Sequence, residues 1–208
     1  GPPGVGKTAS AVAVAREAGA KLVALSAGDV FGPYAGDAEA RLRGAFRDAD
    51  AACAEGTPCV ILLDEIDAMC PARGADAGLS GSRVVAQLLT LMDGVSDRVR
   101  DVVWVAATNP PDQIDAALLR GGRFTEKVVF EKPGAAGLNA HFRGWFERKK
   151  VTLDASLHNV DFSAIVGDES IANAEAVAQA ALNRAISRRE AKVVVTLEDF
   201  ERAVMAVL

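Results

Sequence analysis

Apolar positions along the first 130 residues follow two rhythms in turn. Lys21-Leu22-Val23-Ala24-Leu25-Ser26, Cys59-Val60-Ile61-Leu62-Leu63 and Val102-Val103-Trp104-Val105-Ala106 are short apolar runs bounded by polar or turn residues. Runs of this length read as strands buried on both faces. Lys127-Val128-Val129-Phe130 predicts one more strand. Between the runs the spacing becomes helical. Residues 37–55 carry Leu42, Ala45, Phe46, Ala49 and Cys53 on one face, and residues 82–92 carry Val84, Val85, Leu88, Leu89 and Met92. A further helix is expected over about residues 7–18. Strands alternating with helices predict a parallel sheet covered by helices on both sides, an α/β architecture.

The rhythm changes at Glu131-Lys132-Pro133-Gly134, which reads as a hinge. Helices are expected over roughly 135–149, near Phe162, over 171–190 and from Leu197, with 192–196 a short strand or extended linker. The spacing therefore predicts two domains, a sheet domain at 1–133 and a small helical domain at 134–208. Half of the 208 residues are hydrophobic, enough for a real core. Net charge is −5 and no run of five basic residues occurs, so nucleic acid is not expected as the main partner. Arg188-Arg189 and Arg148-Lys149-Lys150 read as solvated helix faces. No apolar run approaches the length of a bilayer span. Cys53, Cys59 and Cys70 lack zinc-site spacing and read as small buried residues in a reducing compartment, cytoplasmic or nuclear.

The first eight residues, Gly1-Pro-Pro-Gly-Val-Gly6-Lys7-Thr8, fit G-x-x-x-x-G-K-[ST]. This pattern makes a phosphate-binding loop: glycines turn the backbone so that its N–H groups face inward, the lysine meets the outer phosphates, and the hydroxyl ligates Mg²⁺. Pro3, Gly4, Val5, Gly6, Lys7, Thr8 and Ala9 are accordingly the candidate residues for a nucleoside triphosphate. The following helix aims the positive end of its dipole at the same anion. Such a loop normally follows a strand, so a strand is expected upstream of Gly1 and the sequence reads as part of a longer chain.

Two further clusters belong to the same chemistry. The run Val60–Leu63 ends in Asp64-Glu65, and a buried strand does not end in adjacent carboxylates without a compensating partner. Asp64 is the candidate metal residue with Thr8, and Glu65 the candidate general base for an attacking water. Val105-Ala-Ala-Thr108-Asn109 places Asn109 at the end of the next strand, where open α/β sheets bind ligands.

These stretches, with Leu62-Leu-Asp-Glu-Ile-Asp-Ala-Met-Cys-Pro-Ala-Arg73, Gly81–Gly94 and Ile114–Phe124, resemble the AAA ATPases, a P-loop NTPase fold followed by a small helical domain. Within that family the resemblance is to the valosin-containing-protein group and its ribosome-maturation relatives. The resemblance implies ATP and Mg²⁺ as cofactors, a homo- or hetero-hexameric ring, and a protein substrate threaded through a central pore. It further implies that Arg120 and Arg123 are paired arginine fingers reaching the γ-phosphate of a neighbouring subunit, that Tyr34 grips the substrate, and that 74–81 is a second pore loop. A guanidinium supplied in trans stabilises transition-state charge, with effects of about 10³–10⁵ in related hydrolases.

The sequence also departs from the family pattern. Ala35 follows Tyr34 where a larger apolar residue is common, Thr125-Glu126-Lys127 replaces the usual residues after the second arginine, and Ser170–Ala174 replaces a glycine-containing segment. The histidine expected near the base has Trp145 nearest to its place, with His141 one turn earlier. The reading that follows is a Mg-ATP hydrolase coupled to protein remodelling. A ring subunit with little turnover, acting as scaffold or regulator, is the alternative, and a small-molecule kinase explains neither the arginine pair nor the helical tail.

Overall fold

The computed structural model describes residues 1–72, 79–95, 102–109 and 111–208. It divides into two compact units, one of Gly1 and Lys7–Val129, the other of Pro2–Gly6 with Phe130–Leu208.

In the first unit, α1 (Lys7–Glu17) leads into β1 (Lys21–Leu25), and a single turn, α2 (Ala27–Val30), is capped by Ser26. The chain continues through α3 (Asp37–Ala54), β2 (Cys59–Leu63), the turn α4 (Ile66–Met69), α5 (Leu79–Val95) and β3 (Val102–Ala106). The strands form a parallel sheet in the order β1-β2-β3, with Ala24 opposite Leu62 and Leu62 opposite Val105. Every residue of β2 is buried, because the middle strand of a helix-covered parallel sheet meets water on neither face. Cys59, Ile61 and Leu63, on one face of the strand, join Leu42 and Ala49 of α3 and Val84, Val85, Leu88 and Met92 of α5 in one core. Phe46 and Trp104 stack at its edge, 6.4 Å between centroids and 9° from parallel.

The expected strand at Lys127–Phe130 is not there. These residues carry no ladder, and Val128 and Val129 are 79% and 75% exposed. β-branched side chains supply propensity, but a strand exists only through its hydrogen-bonded neighbour, and no described strand pairs with this segment. The thiols also differ from expectation in part: Cys59 and Cys70 are buried, whereas Cys53 is half-buried.

The second unit is built from α6 (Ala135–Arg148), α7 (Phe162–Val166), α8 (Ile171–Ser187) and α9 (Leu197–Val207). A two-residue parallel pair, β4 (Thr152–Leu153) with β5 (Val194–Val195), settles the open reading of 192–196 as a short strand. Phe142, Phe162 and Phe200 form a triangle with centroids 4.9–5.1 Å apart. Against it α8 presents Ala174, Ala178, Ala181 and Ala185, all buried, at helical spacing. α6 ends in a Schellman closure without glycine: Lys150 takes φ 53°, its N–H donates to the Glu147 carbonyl, and the Val151 N–H donates to that of Phe146.

Arg188 is exposed as expected, but its guanidinium is engaged. It pairs with Asp199, donates to the Val194 carbonyl, and bonds Glu190 at 2.9 Å. Asp199 closes a capping box at the start of α9, accepting from the Thr196 N–H at 3.0 Å while the Thr196 hydroxyl accepts from its own N–H. Burial pushes the Asp199 carboxyl up, but the bonds from Arg188 and Thr196 outweigh it and leave the group below its ordinary value. A depressed folded-state pKa contributes stability above the unfolded value near ~4, and that contribution is lost as pH falls through the folded pKa. Asp199→Ala is therefore expected to cost about 2 kcal/mol at neutral pH and to make the acid side of the stability profile shallower. Urea unfolding of parent and variant from pH 7 to pH 3 checks this; an equally steep acid limb in the variant would contradict it.

Candidate functional site

The carboxyl ends of β2 and β3 bring together residues far apart in sequence. The Asp64 N–H extends the β1–β2 ladder by donating to the Leu25 carbonyl at 2.8 Å. Its Oδ2 accepts the Thr8 hydroxyl at 2.8 Å, and its Oδ1 accepts the Glu65 N–H at 3.0 Å. Thr8 stands in the first turn of α1, so one bond joins the helix after the phosphate-binding loop to the end of the central strand. A hydroxyl and a carboxylate converging this way are hard oxygen donors of the kind Mg²⁺ takes alongside phosphate and water. Among the described residues no cluster of three His, Cys, Asp or Glu offers an all-protein metal cage.

Lys7 Nζ donates to Asn109 Oδ1 at 2.7 Å and to the Gly1 carbonyl at 2.8 Å. Burial lowers its pKa, while the charges of Asp64 and Asp67 pull it back up. Asn109 thus sits on the lysine itself, beside the place where outer phosphates are expected. Glu65 is exposed, makes no side-chain capping bond, and holds φ 54°, ψ 46°. A left-handed conformation in a non-glycine residue costs roughly 1–3 kcal/mol and clusters at functional sites. Here it turns the chain out of the strand direction directly after Asp64, while the Ile66 N–H is taken by the Ala107 carbonyl.

Within the second unit, the glycines of the phosphate-binding loop adopt φ 72° at Gly4 and 93° at Gly6. The Gly4 carbonyl accepts the Ala172 N–H at 3.0 Å, and a Cβ added at Gly4 would lie 2.7 Å from that of Ala172. Glycine is required at this position by conformation and by space alike. Trp145 is buried in the helical core, edge-on to Phe146, and His141 lies 3.4 Å from Glu175. Burial lowers the His141 pKa.

The two arginines have different surroundings. Arg120 is exposed, and none of the described residues bonds its guanidinium, whereas Arg123 is bound to Asp93 and to the Ala117 carbonyl. Tyr34 is 76% exposed on a loop closed by Asp37, whose carboxylate accepts the Tyr34 N–H at 3.1 Å. Gly36 at φ 95° makes the turn into α3. Residues 74–78 of the second expected loop lie outside the described residues.

Sequence reasoning passed over Asp67, which accepts the Thr108 hydroxyl at 2.6 Å and so ties α4 to the end of β3. Its place three residues after Asp64 was the available signal. It also passed over Asp93, whose partner lies thirty residues downstream and leaves no local pattern.

The profile of the "ATPase family associated with various cellular activities (AAA)" matches residues 1–132. The chain is 52% identical over 133 residues to the human "ATPase family gene 2 protein homolog B", covering 64% of this chain and 17% of that protein. It is 42% identical over 158 residues to "Protein SAV" of Sulfolobus acidocaldarius, covering 74% and 20%. To a "Cell division cycle protein 48 homolog" of Archaeoglobus fulgidus it is 45% identical over 137 residues, covering 66% and 18%. The match thus spans about a fifth of the length of these relatives.

Lys7→Ala removes the ammonium from a partly desolvated anion site, so nucleoside triphosphate affinity should fall on the order of 10- to 100-fold. Titration of a fluorescent nucleotide analogue against parent and variant measures this, and an unchanged dissociation constant would contradict the placement of the phosphates on Lys7.

Proposed function

The chain belongs to the AAA family of ATPases, and we propose that it is a Mg-ATP-hydrolysing module of a hexameric ring that uses hydrolysis to remodel or thread a protein substrate. The observation that supports this most is the meeting of Thr8 with Asp64 and of Lys7 with Asn109 beside an exposed, left-handed Glu65 that makes no side-chain capping bond. Lys7 binds the outer phosphates of ATP. Asn109, already in contact with Lys7, orients the lysine and the terminal phosphate relative to each other. Glu65, exposed and one residue beyond Asp64, accepts a proton from the attacking water at its carboxylate.

Thr8 and Asp64 would hold Mg²⁺, which when bound neutralises charge on the phosphates. Arg120, exposed and without a bond to any described residue, is suited to supply positive charge to ATP held by an adjacent subunit. Tyr34 offers exposed aromatic area that holds varied side chains without reading sequence. Three cysteines outside any disulfide suit a reducing compartment, cytoplasmic or nuclear.

Two variants of the complete protein test the assembled reading. Glu65→Gln should bind ATP with near-parental affinity and lose most of its turnover. Arg120→Ala should likewise bind ATP and hydrolyse poorly. Mixing the two should restore part of the activity, because mixed rings contain sites in which an intact Glu65 faces an intact Arg120, and dilution should abolish the rescue as rings dissociate. Full turnover by Arg120→Ala, or activity that does not depend on assembly, would refute a donor in trans.

A further inference from the structure

We propose that Asp67 is a positioning residue for hydrolysis: through the Thr108 hydroxyl it sets where Asn109 stands on Lys7, and so where the terminal phosphate is held. This rests on the Mg-ATP reading above and adds to it a residue that acts only through its neighbours.

Asp67 is carried by a turn with little freedom. α4 is a single turn whose Ile66 and Met69 are wholly buried. At its start the Ile66 N–H donates to the Ala107 carbonyl at 3.1 Å. Past its end the Cys70 carbonyl accepts the Asp115 N–H at 2.9 Å, and the Ala72 N–H donates to the Gln113 carbonyl at 2.7 Å. The carboxylate of Asp67 is therefore presented from backbone tied at both ends.

The segment it meets is less constrained. β3 ends at Ala106, and the last ladder bond runs from the Ala107 N–H to the Leu63 carbonyl at 2.9 Å. One residue on, the Thr108 hydroxyl donates to Asp67 Oδ1 at 2.6 Å, the short range of a hydroxyl bound to a charged acceptor. Both residues are half-buried, which strengthens the bond relative to one in water. Asn109 follows directly; it is exposed, and its Oδ1 accepts Lys7 Nζ at 2.7 Å. Packing does not set the place of an exposed amide, so its place comes from the backbone that delivers it. The Thr108–Asp67 bond carries the constraint of the sheet one residue beyond the ladder, to the residue before Asn109. Displacement by about 1 Å at a reacting centre can cost on the order of 10²-fold in rate.

A second route runs from Asp67 to Lys7 by charge alone, since the carboxylate opposes the lowering of the lysine pKa. Asp64 supplies more of that opposition, whereas the hydroxyl bond is direct and oriented. The two routes separate by substitution, because asparagine keeps an acceptor oxygen and loses the charge.

The test uses the complete, assembled protein, with ATP affinity and turnover measured separately. Thr108→Val and Asp67→Ala should each lower kcat roughly 10- to 100-fold and leave the ATP dissociation constant within about threefold of the parent. Thr108→Ser should recover most of the turnover lost in Thr108→Val, and Asp67→Asn should keep more than Asp67→Ala. Asp67→Ala added to Asn109→Ala should bring no further loss. Amide hydrogen exchange without nucleotide gives a readout independent of hydrolysis: exchange over residues 107–109 should speed up in Thr108→Val and Asp67→Ala and stay parental in Asn109→Ala. Parental turnover in Thr108→Val beside an impaired Asn109→Ala would overturn the inference and leave the ATP reading standing, as would unchanged exchange over 107–109. Equal losses in Asp67→Asn and Asp67→Ala would place the effect in the charge on Lys7 and overturn it too. Parental turnover in Asn109→Ala would refute the site reading itself and the inference with it.

Discussion

A strand with no solvent-facing side chain runs directly into two carboxylates, and much of the site in the first unit follows from how that is arranged. β2 is buried on both faces because helices cover the sheet, so Asp64 leaves an apolar environment abruptly. Its two oxygens are satisfied at once, one by the Thr8 hydroxyl and one by the next backbone N–H. Glu65 then takes a left-handed turn that directs the chain away, and α4 starts there. Asp67 on that turn receives Thr108, which fixes the end of β3. The parallel register makes this spacing automatic, because the strands end together at Leu25, Leu63 and Ala106.

The groups assigned to ATP and Mg²⁺ are bonded to one another in this structure. Lys7 is held by an amide oxygen and a backbone carbonyl, and Thr8 by the carboxylate beside which a metal would sit. Burial lowers the Lys7 pKa, and the charges of Asp64 and Asp67 oppose the change.

Much of this was legible in the sequence where the signal was local. The runs at 21–25, 59–63 and 102–106 became strands because burial on two faces writes itself as a continuous apolar run. Thr8, Asp64 and Asn109 could be brought together because each lies at an element end whose position the sheet dictates. Where the determining partner was remote, the reading failed. Val128 and Val129 have strand propensity, but pairing depends on a neighbour that propensity does not provide. Arg188 is exposed as read, but its partners, Asp199 and the Val194 carbonyl, are brought to it only by the fold.

The arginines near position 120 show the same limit in its sharpest form. A motif reading treats two like residues three apart as equivalent, since the pattern records spacing and residue type alone. The structure separates them by partner: Asp93, on a different element, captures one guanidinium at two points and leaves the other without a bond to any described residue. A captured arginine and an exposed one differ in what each would give up to meet a phosphate, because the first must break a charge-assisted pair and the second only sheds water. Rigid presentation and free reach are competing demands on a single side chain. In this chain the two arginines stand in different situations, one bonded to α5 through Asp93 and the other exposed.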